Sequence, residues 1–215
     1  PYQLEDWSAT ITYARSLKNI DPARIGLWGT SLSGGHVIVT AARDHQIACV
    51  SAQCPGLDGR ASALMGFKRE GLGHGLRMIM HAQRDLVRSW FGRSAHTMPI
   101  AGKPGTVALL TTTDVYEAFA QLAPDDFVNE ACALIIIRGD KYRPVEYAHR
   151  VRCPVLLQIC DNDELMPMSA AEETARRLGN YAKVKHYPIR HFDISFDDNF
   201  DRSVADQLKF FQKHL

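Results

Sequence analysis

The sequence predicts an α/β fold with a mostly parallel sheet flanked by helices and a largely helical insertion. Three observations point there: apolar strand-length runs alternate with helical periodicity at both ends of the chain, one run is apolar enough to be buried on both faces, and the middle of the chain lacks that alternation.

The elements follow in order. Leu4, Trp7, Ile11, Ala14 and Leu17 recur at helical spacing, predicting an amphipathic helix that ends before Asn19 and the Asp21-Pro22 turn. Ile25 to Trp28 reads as a short strand. The small residues from Gly29 to Gly35 form a sharp turn, and His36 to Arg43 a helix. Ile47 to Ala52 is the next strand. Pro154 to Cys160 is an apolar run closed by an acidic turn, as expected of a central parallel strand. Ser169 and Glu172 have capping-box spacing for a helix to Leu178 that Gly179 stops. Val184 to Tyr187 is a last strand, and Phe200, Val204, Leu208 and Phe211 line a closing helix.

This division assigns residues 1–54 and 153–215 to an α/β core and residues 55–152 to a cap or lid insertion. Helical patterns in the insertion lie at Leu76 to Trp90, Val115 to Leu122 and Pro144 to Val151, with a glycine-rich stretch from Gly71 to Gly75.

Composition limits the function. The 215 residues are 46% hydrophobic and 23% charged, ordinary for a globular protein, and 25 Lys and Arg against 24 Asp and Glu give a net charge of +1. That balance argues against nucleic acid and membrane partners and for a small-molecule substrate. Five cysteines, without a CxxC pair, suggest neither a disulfide framework nor a zinc site. No run reaches the roughly 18 apolar residues of a membrane span, and the N-terminus lacks the basic and apolar regions of a signal peptide, so a cytoplasmic protein is expected.

Gly29-Thr30-Ser31-Leu32-Ser33 fits a nucleophile elbow, with an apolar strand before it and a helix after it. Such a turn demands small residues two before and two after the nucleophile, which Gly29 and Ser33 supply. Ser33 is a rival, flanked by Ser31 and Gly35; Ser31 is preferred because Gly29 directly follows the strand. At the helix entrance the Leu32 N–H would point at a developing oxyanion. Asp161 and Asp163 both follow the buried strand, and Asp163 is preferred as the carboxylate that orients a histidine. His191 follows the last strand in a loop suited to a base, with His186 its competitor within the strand. None of His36, His74 and His81 stands in an HExxH pattern, so no metal and no cofactor are expected.

The run from Asp21 to His36, with the loops Cys160 to Pro167 and Tyr187 to Asp193, resembles bacterial α/β-hydrolases of the dienelactone hydrolase and acyl-peptidase-like branch. The resemblance implies an α/β-hydrolase fold and a Ser31, Asp163, His191 triad with the Leu32 N–H in the oxyanion hole. It implies a serine hydrolase cleaving a carboxylic ester, thioester or amide through an acyl-enzyme. An acyltransferase with the same triad and a noncatalytic ligand-binding scaffold are the alternatives. Members of that branch carry several strands, and a second oxyanion donor, before the helix that begins this chain. The expectation is therefore that the 215 residues are a fragment.

Overall fold

A computed structural model describes residues 2–215. In chain order the elements are α1 (Tyr2–Ser16), β1 (Gly26–Thr30), α2 (Leu32–Arg43), β2 (Cys49–Gln53), α3 (Gly59–Trp90), β3 (Thr97–Met98), α4 (Val115–Leu122), β4 (Ala131–Cys132), α5 (Ile135–Gly139), β5 (Val155–Cys160), α6 (Met168–Leu178), β6 (Ala182–Tyr187) and α7 (Asp197–His214). They form two compact units, one of residues 1–58 and 143–215, the other of residues 59–142.

The first unit is built on a four-stranded sheet in the order β1-β2-β5-β6, all parallel. Thr30 pairs with Gln53, Gln53 with Gln158, and Cys160 with Tyr187, so the loops after all four strands leave the same end of the sheet. That end is where parallel α/β sheets place their chemistry. Every residue of β2 and β5 is buried, which accounts for their mostly apolar character, with Ser51, Gln53 and Gln158 as the buried polar exceptions.

Helices cover both faces. Val37, Ile38, Ala41 and Ala42 of α2 are all but completely enclosed and pack in one cluster with Val50, Val155, Leu157 and Ile159 of the sheet and Ala170, Ala171 and Leu178 of α6. A helix apolar nearly all round is one buried nearly all round. On the opposite face Phe210 and Phe211 of α7 pack with Cys49 and Leu156.

The second unit holds α3, interrupted at Gly71 (φ 79°), together with α4, α5 and a two-stranded antiparallel pair, β3 and β4. Within it the buried Asp85 of α3 accepts hydrogen bonds from the backbone N–H of His96 and of Leu134, so one carboxylate ties three segments together.

The second unit spans residues 59–142, beside an expected insertion of 55–152; residues 55–58 and 143–152 lie in the first unit, where Val145 donates to the Leu57 carbonyl and Ala148 and Val151 enter the main core. Two expectations of local structure are corrected. Pro144 to Val151 is accordingly not a regular helix but two short 3-10 turns. No capping box forms at Ser169, because α6 already begins at Met168, with Pro167 as its N-cap residue.

Candidate active site

Ser31 occupies the single residue between β1 and α2, with φ 53° and ψ −124°, a conformation that a non-glycine residue adopts only under constraint. Its N–H donates to the Gln53 carbonyl at 2.9 Å, and its carbonyl accepts from the Gly34 and Gly56 N–H groups at 3.0 and 2.7 Å. The turn is thus held by the neighbouring strand on one side and the helix on the other.

The small residues around it answer to distinct contacts. A Cβ on Gly29 would stand 2.4 Å from the Ser33 carbonyl oxygen, so strand and helix can close this tightly only over glycine. A Cβ on Gly34 would stand 2.8 Å from Pro55, and one on Gly35 only 2.2 Å from the Gly56 carbonyl oxygen. Gly34 and Gly35 therefore seat α2 against the segment after β2, and the elbow centres on Ser31, with Ser33 in the first turn of the helix.

Three distant segments meet at Ser31. His191 Nε2 lies 3.1 Å from Ser31 Oγ, and His191 Nδ1 lies 2.6 Å from Asp163 Oδ2. The second carboxylate oxygen, Asp163 Oδ1, accepts from the Leu165 and Met166 N–H groups, each at 2.8 Å. Side chains of His191 and Asp163 are only 5% and 4% exposed, so their pairing is sheltered from water. The rivals are elsewhere: Asp161 Oδ1 pairs with His186 Nδ1, and His186 is half exposed.

Leu32 is the first residue of α2, and its N–H is one of the orphan donors of the helix N-terminus. Ser31 and Leu32 also line an open groove of about 570 Å³, together with Gln3, Trp7, Thr10 and His36.

Four of the cysteines are buried, and two of them, Cys54 and Cys160, lie 3.5 Å apart beneath the His191 loop, where Cys54 faces the His191 carbonyl. The hydrogen bond with Cys160 and burial both push the Cys54 thiol up. Burial also raises Cys49 to about 11 and Cys153 to about 12. These three are therefore thiols, not thiolate nucleophiles, at neutral pH. Nothing in the spacing of Cys54 and Cys160 shows that the pair sits under the histidine loop. Among the described residues no three His, Cys, Asp or Glu side chains converge as metal ligands, and His81 is engaged with His96 at 2.8 Å.

No protein-family model matches the chain. Among curated proteins it is similar to the quorum-quenching protein AidA of Acinetobacter baumannii, with 36% identity over 213 residues, covering 98% of this chain and 68% of that one. It is similar at 22% identity to the thiohydrolase aneE of Aspergillus aculeatus, covering 99% of this chain and 69% of that one. Among solved structures the α/β hydrolase GrgF from Penicillium superposes with a TM-score of 0.75 at 15% identity, covering 99% of this chain and 71% of that one.

Proposed function

Because this chain belongs to the α/β-hydrolase superfamily and is a hydrolase, we propose that it cleaves carboxylic esters or thioesters through an acyl-enzyme formed on Ser31. The observation that carries the reading is His191 bridging Ser31 Oγ and Asp163 Oδ2 within one sheltered cluster.

The chemistry follows from that arrangement. Ser31 Oγ attacks the acyl carbon while His191 Nε2 takes the hydroxyl proton. Asp163 holds the Nδ1–H tautomer and balances the charge of the imidazolium. The oxyanion of the tetrahedral intermediate accepts from the Leu32 N–H, reinforced by the N-terminal end of α2. Collapse expels the alcohol or thiol, which takes the proton from His191. Water then enters by the same route in reverse, releasing the acid and free Ser31. No cofactor takes part. The names of the relatives, a quorum-quenching protein and a thiohydrolase, support acyl compounds of small-molecule size as substrates. The unit of residues 59–142 is proposed to be the cap that selects among them. The free buried thiols support cytoplasmic placement as part of the same proposal.

A fluorophosphonate tests the nucleophile. The expected result is stoichiometric labelling at Ser31, lost in Ser31→Ala and His191→Ala and kept in Ser33→Ala, with parallel loss of p-nitrophenyl ester and acyl thioester turnover. Labelling at Ser33, or turnover that survives Ser31→Ala, overturns the proposal.

A further inference from the structure

Within the second unit, α3 presents a surface that the proposed catalysis does not use. From Leu72 to Trp90 the helix runs for about 27 Å. At 100° per residue, Leu72, Leu76, Ile79, Met80, Val87 and Trp90 fall within about 100° of one another. All six are exposed, from 43% at Val87 to 71% at Trp90. The positions that α3 does bury, Ala82 and Asp85, point away from this stripe. Gln83 is the one polar residue inside the stripe, and exposed apolar surface of this length is the mark of an interaction surface.

Charge identifies the partner. Arg77 and Arg84 lie about 40–60° beyond Met80 on one rim of the stripe, and Arg88 continues that row. Neither Arg77 nor Arg84 has a carboxylate partner among the described residues. Between residues 71 and 93 there are four arginines and a single acidic residue, Asp85, which is buried and spent on the His96 and Leu134 amides. The near-neutral charge of the whole chain argues against a membrane partner only if charge is spread evenly, and along α3 it is not. A second copy docked on the stripe would bring a second row of arginines to the same rim, which repels. One small acyl substrate would cover only part of the stripe. Leu, Ile, Met and Trp beside a row of arginines match the boundary between acyl chains and anionic headgroups.

We propose that the exposed face of α3 docks on anionic lipid bilayers, lying in the headgroup region without crossing the membrane. No described helix is long and apolar enough to cross one. This inference is independent of the assignment of Ser31, and its test does not depend on turnover.

The test is vesicle flotation of the full 215-residue chain with phosphatidylcholine alone and with equal parts of phosphatidylcholine and phosphatidylglycerol. The expected result is binding confined to the anionic vesicles, weakening with salt. Arg77→Gln/Arg84→Gln should bind about 30-fold more weakly. Leu76→Glu should release the protein at any lipid composition. Trp90 emission should shift to the blue on binding, a shift absent in Trp90→Phe although Trp7 and Trp28 remain. Thermal unfolding of each variant in the absence of lipid checks that the exposed substitutions leave the fold intact. Absence of binding, binding unchanged by both sets of substitutions, or a dimer in solution that Leu76→Glu dissociates would overturn the proposal.

Discussion

Asp161 and His186 hold each other at 2.6 Å on the surface, with side chains 30% and 51% exposed. Asp163 and His191 make the same kind of contact at the same distance, but nearly without solvent exposure and in line with Ser31. The two pairs give an internal control. Asp163→Asn leaves the geometry but favours the wrong imidazole tautomer, and should lower kcat/KM by about 10³–10⁴-fold. Asp161→Asn and His186→Gln should each change it less than about threefold. Steady-state hydrolysis of a p-nitrophenyl ester reads both.

The backbone of Ser31 makes a separate prediction. With φ 53° it occupies a conformation that costs about 1–3 kcal/mol for a residue bearing a Cβ. Glycine relieves that cost and adds back about 0.5–1 kcal/mol of unfolded-state freedom. Both Ser31→Gly and Ser31→Ala abolish nucleophilic catalysis and lose the His191 contact. Ser31→Gly should nevertheless be the more stable of the two by about 1 kcal/mol in urea titration. Gly29→Ala acts in the opposite sense: its new methyl meets the Ser33 carbonyl oxygen at 2.4 Å, and the variant should lose about 3 kcal/mol or more.

How much of this is legible in sequence depends on how local each constraint is. The elbow can be read because its demands fall within seven consecutive residues: a strand, a glycine, a serine and a helix. Choosing between Asp161 and Asp163 depends on the Leu165 and Met166 amides turning toward one carboxylate, which no pattern displays. The helical pattern begins at Leu76, after the glycine-rich stretch, yet α3 starts at Gly59 and runs through that stretch with one break at Gly71. Pro144 to Val151 has helical spacing but is pinned to the first unit through Leu57, and winds only into 3-10 turns. The short β3 and β4 pair, two residues each, leaves no periodicity to find.

Arg15 and Asp44 join α1 to the end of α2 through two contacts, 2.6 and 3.2 Å, with Asp44 also accepting from the Gln46 N–H at 3.0 Å. Burial raises the Asp44 carboxyl, but the hydrogen bonds from Arg15 and Gln46 and the Arg15 charge outweigh it, and the group ends below the usual carboxylate range. A depressed carboxyl in the folded state stabilises the fold fully above its unfolded value, about pH 4, and loses that contribution as pH falls through the folded value. Asp44→Asn should therefore be less stable than the parent by about 1 kcal/mol at pH 7, a pair partly open to solvent contributing no more. The difference should shrink toward zero as pH falls through the folded value. Urea titrations at stepped pH measure it.

The last prediction concerns the ground on which the His191 loop stands. Gln158, fully buried in the middle of β5, donates to the Tyr187 hydroxyl at 2.8 Å and to the Ser203 carbonyl at 2.9 Å, and accepts from Gln207 at 2.6 Å. Tyr187 in turn donates to Asp206 at 2.8 Å, so the end of β6, four residues before His191, is fastened to both β5 and α7. Burial, with Asp206 alongside, pushes the Tyr187 hydroxyl up, keeping it a donor. Gln158→Met preserves length but leaves the Ser203 carbonyl and the Gln207 amide without their partner, which should cost about 2–4 kcal/mol. Tyr187→Phe alone should cost about 1–2 kcal/mol. Because both substitutions break the same hydrogen bond, the double variant should fall short of the sum by about 1 kcal/mol in a thermodynamic cycle. Strict additivity would mean that the two side chains stabilise the fold independently, and that β6 is not held through Gln158.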